Sequence, residues 1–164
     1  MKSLTMLSLG LIAGAALSAA IVQAAPDSGF KKEHFNYSEW AKGRFSEAVS
    51  VHNAQRFIYL AGVGAEEEAA TTGGAIRHRD DVYAQCIYAW DKVKQTLEKQ
   101  NATLSDIVKV TTYVTDMRAQ SDVGRCRSEV MGKIPLPVHT LVGVSALAWP
   151  GMMVEVDVTA VKAN

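Results

Sequence analysis

The stretch DIVKVTTYVTD, residues 106–116, carries apolar or β-branched side chains at most of its positions. A strand with apolar residues on both faces is typical of the centre of a sheet, because both faces must then be covered. The sequence therefore predicts a central strand here, and the flanking segments decide what covers it.

Helical patterns precede and follow this strand. In the preceding segment apolar residues recur every three to four positions, which predicts a helix ending near Asn101, and Asp80 or Asp81 can cap its start. The recurring positions are Val82, Cys86, Ala89, Val93 and Leu97. A second helix is predicted over residues 121–131, and Pro135 and Pro137 prevent a further one.

Four more segments have the pattern of strands. Residues 45–51 alternate and are separated by a short polar stretch from the apolar run 57–61, which together predict a hairpin. Residues 140–144 and 153–161 close the chain as two further strands. In residues 154–159 valine occupies one face, whereas Glu155, Asp157 and Thr159 occupy the other.

The resulting order, β-β-α-β-α-β-β, predicts an α+β sandwich in which both helices cover one face of a single sheet. The other face then points to water, a ligand or another subunit.

The amino-terminal residues have the pattern of an export signal. A lysine is followed by an apolar run and by small residues at 24 and 25, so residues 1–24 are interpreted as a cleaved signal peptide, and a permanent membrane anchor is the alternative. Residues 25–42 read as an amino-terminal arm or loop, and residues 43–164 as one domain. The expected location is periplasmic or secreted, with no membrane contact after cleavage.

Charge and cysteine content narrow the classes of partner. Seventeen basic residues balance 17 acidic ones, so no excess positive charge would collect nucleic acid or anionic lipid. The spacing of Cys86 and Cys126 matches no metal-binding pattern, and no metal is expected. In an oxidising compartment the two can form a disulfide; alternatively each is a small buried apolar residue.

Four motifs, taken in order, resemble those of the RidA/YjgF family. Residues 43–49, GRFSEAV, resemble the family's GPYSQAV, and residues 150–157, PGMMVEVD, resemble its PGxLVEIE. Between them, residues 81–85 match the start of the family's first helix and residues 106–109 the start of its middle strand. The likeness extends from about residue 43 to residue 162, and the shared order of the motifs is what makes it specific.

This resemblance implies a chorismate-mutase-like fold and a homotrimer with small-molecule clefts between subunits. It also implies hydrolysis of enamines and imines to a 2-keto acid and ammonia, without metal or cofactor. An arginine of the family's Pro-x-Arg-Ser/Thr motif holds the substrate carboxylate, while a glutamate and backbone groups orient water.

Two residues stand at the positions that the resemblance makes catalytic. Glu155 matches the glutamate; alternatively it is a solvated or interface residue, and its neighbour Asp157 is expected to push one carboxyl pKa upward. His139 stands where the arginine belongs, and Thr140 keeps the following hydroxyl. Imidazole cannot form the planar fork of arginine, so His139 is a weak carboxylate partner when protonated, a neutral acid or base, or the remnant of a lost site.

Further candidates for substrate binding follow from the same alignment. Phe45 replaces a tyrosine, and Ala61, Gly62 and Val63 stand where the family is more polar. Arg44 either supplies the missing positive charge or is an ordinary surface residue. Trp149 either caps a pocket rim or subunit contact or serves packing alone.

Two functions remain open from the sequence. One is an enzyme, either a trimeric imine or enamine hydrolase or a relative that acts on a different small carbonyl compound, with Glu155 and His139 at its centre. The other is a trimer that binds a small, mostly apolar or weakly acidic molecule in the same clefts without turnover. Ribonuclease activity, a label sometimes attached to the family, is disfavoured by export and by zero net charge.

Overall fold

The computed structural model describes residues 29–71 and 74–163. The interpreted signal peptide, residues 1–24, lies outside them. Within the described residues the elements are β1 (Lys31–Phe35), β2 (Ala48–His52), β3 (Arg56–Tyr59), α1 (Val82–Lys99), β4 (Ile107–Val114), α2 (Gln120–Met131), β5 (Val138–Gly143) and β6 (Val154–Lys162). None of the helices in these ranges has the length and apolar character needed to cross a membrane.

The main sheet has the strand order β3-β6-β4-β5. β4 pairs antiparallel with β6 on one side and parallel with β5 on the other. The prediction of a central strand is therefore confirmed: β4 has neighbours on both edges, as its apolar composition requires.

The predicted hairpin between the first two strand segments is wrong. Residues 53–55 do connect β2 to β3, but β2 pairs with β1 whereas β3 pairs with β6. Alternation of apolar and polar side chains predicts that a segment is a strand, but it does not indicate which strand lies beside it.

The partner of β2 comes from residues 25–42, which the sequence analysis reads as an arm or loop. Residues 31–35 within that segment form β1, a strand without a clear apolar pattern. Polar contacts hold it in place: the His34 ring nitrogen Nδ1 lies 2.9 Å from the Leu136 carbonyl oxygen, and Lys32 donates to the Ser105 carbonyl. The observed order is thus β-β-β-α-β-α-β-β.

Both helices pack on one face of the main sheet, as predicted. Trp90, Val93 and Leu97 of α1 are at most 1% exposed and belong to one core cluster with Val110 and Val156 of the central strands. Burial of such side chains is the main favourable contribution to folding. Asp81 caps α1 by accepting a hydrogen bond from the Ala84 amide at 2.9 Å.

A disulfide between Cys86 and Cys126 joins α1 to α2. Both cysteines are fully buried, so the bond lies inside the helical layer. It fixes the position of α2, the helix that borders the candidate site.

Candidate functional site

A cleft of about 630 Å³ opens between the turn at residues 40–45, helix α2 and strand β5. The residues of its lining that bear on its chemistry are Trp40, Arg44, Phe45, Arg127, His139 and Thr140. Four of these six, namely Arg44, Phe45, His139 and Thr140, are residues that the sequence analysis assigns to the site, and the structure brings them together.

The turn that forms one wall is anchored to β5. Gly43 has a φ of 73°, a conformation that favours glycine, and the Ser46 amide donates to the Pro137 carbonyl at 3.0 Å. Trp40 and Phe45 meet edge to face with ring centroids 5.5 Å apart, and the Arg44 guanidinium lies 5.4 Å from the centroid of the Trp40 ring. The wall is therefore aromatic, with one exposed cation over it.

His139 uses both of its ring nitrogens within the chain. Nε2 lies 3.0 Å from Thr112 Oγ1, and Nδ1 contacts the Arg127 guanidinium nitrogen Nη1. Because a guanidinium can only donate, Nδ1 must accept, and the ring proton is on Nε2, which donates to Thr112. His139 is therefore a neutral imidazole in a single tautomer.

The electrostatics favour the same state. Burial, then the positive charges of Arg127 and Lys109, lower the pKa of His139 to about 3. A protonated ring would also turn a second donor toward Arg127. The protonated carboxylate partner considered from the sequence is thus disfavoured, and neither ring nitrogen is free to act as an acid or base in the cleft.

Arg127 is a site residue that the sequence analysis misses. It projects from α2, and its Nη2 donates to the Arg44 carbonyl at 2.9 Å while Nη1 donates to His139. Burial lowers its pKa. The acidic residues nearest along α2 are engaged elsewhere, since Asp122 pairs with Arg125 at 3.1 Å and Glu129 accepts from Tyr83. Among the described residues, no carboxylate forms an ion pair with Arg127.

Glu155 lies on the opposite face of the sheet from His139. Thr112, which contacts His139, pairs with the buried Val156, whereas the next residue, Tyr113, pairs with Glu155. Successive side chains on a strand point to opposite faces. Within one chain the structure does not bring the two predicted catalytic residues together.

Glu155 lies near three other residues that the sequence assigns to substrate binding, namely Ala61, Gly62 and Val63. A Cβ at Gly62 would lie 2.0 Å from Glu155 Oε1, so glycine is what allows the carboxylate to sit over this backbone. Val63 and Val156 exchange backbone hydrogen bonds at 2.9 Å, which extends the ladder beyond β3. Ala61 precedes them in the same loop and is exposed.

The carboxylates around Glu155 change its titration. Burial, then Glu66 and Asp157, raise the pKa of Glu155, as expected from the shared face with Asp157. Glu66 itself stays ionised: burial opposes its charge, but Lys92 binds it at 2.8 Å and its pKa is lowered. Glu155 therefore holds a proton more readily than Glu66 does.

Trp149 borders neither the cleft beside His139 nor the carboxylates around Glu155. The residue is 43% exposed, and its ring lies 3.6 Å from where a Cβ of Gly74 would stand. The rim role considered from the sequence has no counterpart at the cleft within one chain.

The sheet covered by helices on one face defines the chain as an α+β protein with the chorismate-mutase-like fold. The family model described as Endoribonuclease L-PSP matches residues 38–162. With this match and the relatives below, the chain belongs to the RidA/YjgF family.

Two curated relatives and one solved structure illustrate the likeness. A RutC family protein of Pyrococcus abyssi is 31% identical over 121 residues, which cover 73% of this chain and 87% of the relative. The RutC family protein YjgH of Escherichia coli is 29% identical over 126 residues, covering 76% and 87%. The Yersinia pestis protein YyfB, described as a conserved Rid family protein of unknown function, superimposes with a TM-score of 0.67 at 25% identity, covering 80% of this chain and 98% of that chain.

Proposed function

We propose that the chain binds a small carbonyl- or imine-type metabolite that carries a carboxylate, in the cleft beside His139. The observation that carries this proposal is the charge of the cleft. Its described lining contains two arginines, Arg44 and Arg127, and neither aspartate nor glutamate. A desolvated guanidinium without a carboxylate partner favours an anionic ligand.

Binding is tested by titrating the full chain with 2-oxobutanoate, a stable 2-keto acid, and following tryptophan fluorescence. Saturable binding with a change in emission is expected, because Trp40 lies in the cleft wall. In Trp40→Phe the fluorescence change should be lost while calorimetry still detects binding. Absence of any saturable binding to wild type would contradict the proposal.

Hydrolysis of an imine to a keto compound and ammonia is the second candidate function. In this reaction water adds to the C=N carbon, and the C–N bond breaks as nitrogen leaves as ammonia. The raised pKa of Glu155 favours it, since a carboxyl that exchanges protons nearer neutral pH is a better acid–base group. Because Glu155 lies on the face opposite the cleft of its own chain, this function needs a neighbouring subunit to bring Glu155 to a cleft.

The hydrolase is distinguished from a non-catalytic binder by the lifetime of an imine released by an amino-acid oxidase. Wild type should shorten that lifetime, and Glu155→Gln should abolish the effect while binding of 2-oxobutanoate persists. Binding without any effect of wild type on the imine would establish the non-catalytic alternative. An unchanged rate in Glu155→Gln would remove Glu155 from the mechanism.

RNA is not proposed as a substrate, although the family model carries a ribonuclease description. The balance of 17 basic and 17 acidic residues provides no general attraction to a polyanion. Incubation with a single-stranded RNA at low salt should leave it intact.

We further propose export to the periplasm or beyond, and assembly into a homotrimer whose subunits complete each other's clefts. The disulfide supports export, because such bonds persist mainly in oxidising compartments. Mass spectrometry of protein released by osmotic shock should give a chain beginning at residue 25; a full-length mass in the cytoplasmic fraction would contradict export.

A further inference from the structure

The arginine in the cleft comes from a helix, whereas the strand position beside it holds a histidine. We propose that Arg127 of α2 binds the ligand carboxylate and that His139 is the positioning residue that orients its guanidinium. This inference rests on the proposed function, because it names the group within that cleft that recognises the ligand.

The Arg127 guanidinium has N–H donors that no group of the described chain accepts. Of its five N–H groups, one is used by His139 and one by the Arg44 carbonyl, which leaves three without a described acceptor. Two parallel N–H groups suffice for a bidentate contact with a carboxylate. Partial burial of the side chain strengthens such a contact, because water competes less for the charge.

His139 is suited to positioning rather than to binding. Only a neutral imidazole can accept from an arginine, and the hydrogen bond to Thr112 fixes the tautomer that presents Nδ1 to Arg127. The Arg44 carbonyl accepts from Nη2 on the same guanidinium. Two acceptors on separate elements, the cleft turn and β5, therefore hold the guanidinium plane.

The remaining walls indicate what the ligand carries besides its carboxylate. Trp40, Phe45 and Leu141 line the cleft, and no acidic side chain is present to bind an amine. The ligand class is therefore a small monocarboxylate with an uncharged remainder, which the aromatic and hydroxyl or amide side chains of the lining can both contact. An amino acid with a protonated amine fits less well, because nothing in the described lining neutralises the ammonium group.

The central experiment compares 2-oxobutanoate with its uncharged analogue 2-oxobutanamide by calorimetry. Wild type should bind the acid at least tenfold more tightly than the amide. Arg127→Gln should weaken binding of the acid about ten- to a hundredfold and leave binding of the amide nearly unchanged, since a hydrogen bond to a charged group is lost. Arg127→Lys should also lose affinity, because a point charge does not replace the fork.

Arg125→Gln is the matched control on the same helix. Arg125 is exposed, pairs with Asp122 and stacks on the Tyr83 ring at 3.9 Å, away from the cleft lining. It should keep the wild-type preference for the acid. An equal loss in both variants would show a general charge effect and overturn the assignment of Arg127.

The positioning role of His139 has a separate test. His139→Leu removes the acceptor and should weaken binding of the acid several-fold while sparing the amide. His139→Asn restores an acceptor oxygen and should recover most of the affinity. Equal loss for both probes, or no rescue by asparagine, would overturn the positioning role.

A spectroscopic measurement on the wild-type protein tests the same contact even if the variants fold poorly. The Arg127 Nε–H signal in a nitrogen-15 spectrum, assigned by its absence in Arg127→Lys, should shift on addition of 2-oxobutanoate and stay in place with the amide. If wild type binds neither probe, the proposed function fails. If wild type prefers the acid but the Arg127 signal and affinity do not respond, only this inference fails.

Discussion

A histidine can accept a hydrogen bond from an arginine only while it is neutral, and three features keep His139 neutral. It is largely buried, it lies beside the Arg127 guanidinium, and its Nε2 proton is held by Thr112. The position at which the family motif has an arginine therefore holds His139 here, which accepts a hydrogen bond from Arg127. The cation of the cleft comes from another residue, 12 positions earlier in the chain.

His139→Arg is expected to destabilise the fold. It would place two guanidinium groups together in a partly buried site and remove an acceptor from Arg127, at a cost of about 3 kcal/mol in free energy of unfolding. Urea unfolding measures the loss. The double variant His139→Arg/Arg127→His should recover at least half of it, because one cation and one neutral ring are then restored. A stable single variant would show that the two side chains do not compete for the same space.

The same histidine makes the fold sensitive to acid. Its native pKa is lowered from 6.5 to about 3, so the unfolded chain takes up the proton first. The contribution of the neutral ring is therefore complete above pH 6.5 and declines as the pH falls toward 3. Between pH 6 and pH 4 wild type should lose about 2 kcal/mol more than His139→Asn does.

Stability curves in urea at several pH values measure this difference. His78→Asn, which changes an exposed histidine that pairs with no carboxylate among the described residues, is the matched control and should lose stability in parallel with wild type. Parallel curves for wild type and His139→Asn would mean that the imidazole is not held neutral.

At the scale of elements, α2 is both a wall of the cleft and one end of the disulfide. Cys126 is bonded to Cys86 inside the helical layer, and the next residue, Arg127, faces the cleft. The covalent link to α1 thus fixes the helix from which the guanidinium projects.

Removing the disulfide should destabilise the protein substantially. The bond closes a separation of 40 residues, and the chain-entropy relation gives about 4 kcal/mol for such a loop. Cys86→Ala/Cys126→Ala should show a loss of about this size in urea unfolding. Wild type unfolded and refolded in reductant should match the variant, whereas the variant should not respond to reductant. A loss below about 1 kcal/mol would show that packing alone positions the helices.

The elements that the sequence predicts well are those with strong local signals. α1 has five regularly spaced apolar residues and an aspartate cap, and β4 has apolar residues on both faces, so each was located within about two residues. The strand β1 lacks a regular apolar pattern, because polar contacts to the backbone of distant residues fix its position. Its pairing with β2 depends on the tertiary fold, which explains why the hairpin prediction was wrong.

The candidate site was only partly predictable for a related reason. The order of the family motifs assigns Phe45, His139 and Thr140 to one cleft, but it does not show which face of the sheet each side chain points to. That Glu155 and His139 lie on opposite faces depends on the register of β4 with both neighbours, which no local pattern encodes. Arg127 follows a buried cysteine on an amphipathic helix, and only the position of β5 beside α2 shows what it faces.

At the scale of the whole molecule, the main sheet has a face that no helix covers. This helix-free face carries Tyr59, Thr111, Tyr113, Glu155 and Asp157, and Tyr59 at its edge is 75% exposed and stacked on Phe57. A large exposed aromatic pair beside a half-buried polar sheet favours contact with another protein surface.

We expect this face to form the contact between subunits of the proposed trimer. Light scattering after size exclusion should give three times the mass of one chain. Tyr59→Arg should shift the protein toward the monomer, because it places a charge at an apolar contact without disturbing the core on the other face of β3. Gln95→Arg, at an exposed position of α1, adds the same charge and should remain trimeric. A wild-type monomer at micromolar concentration would contradict the assembly, and with it the need for a neighbour to bring Glu155 to the cleft.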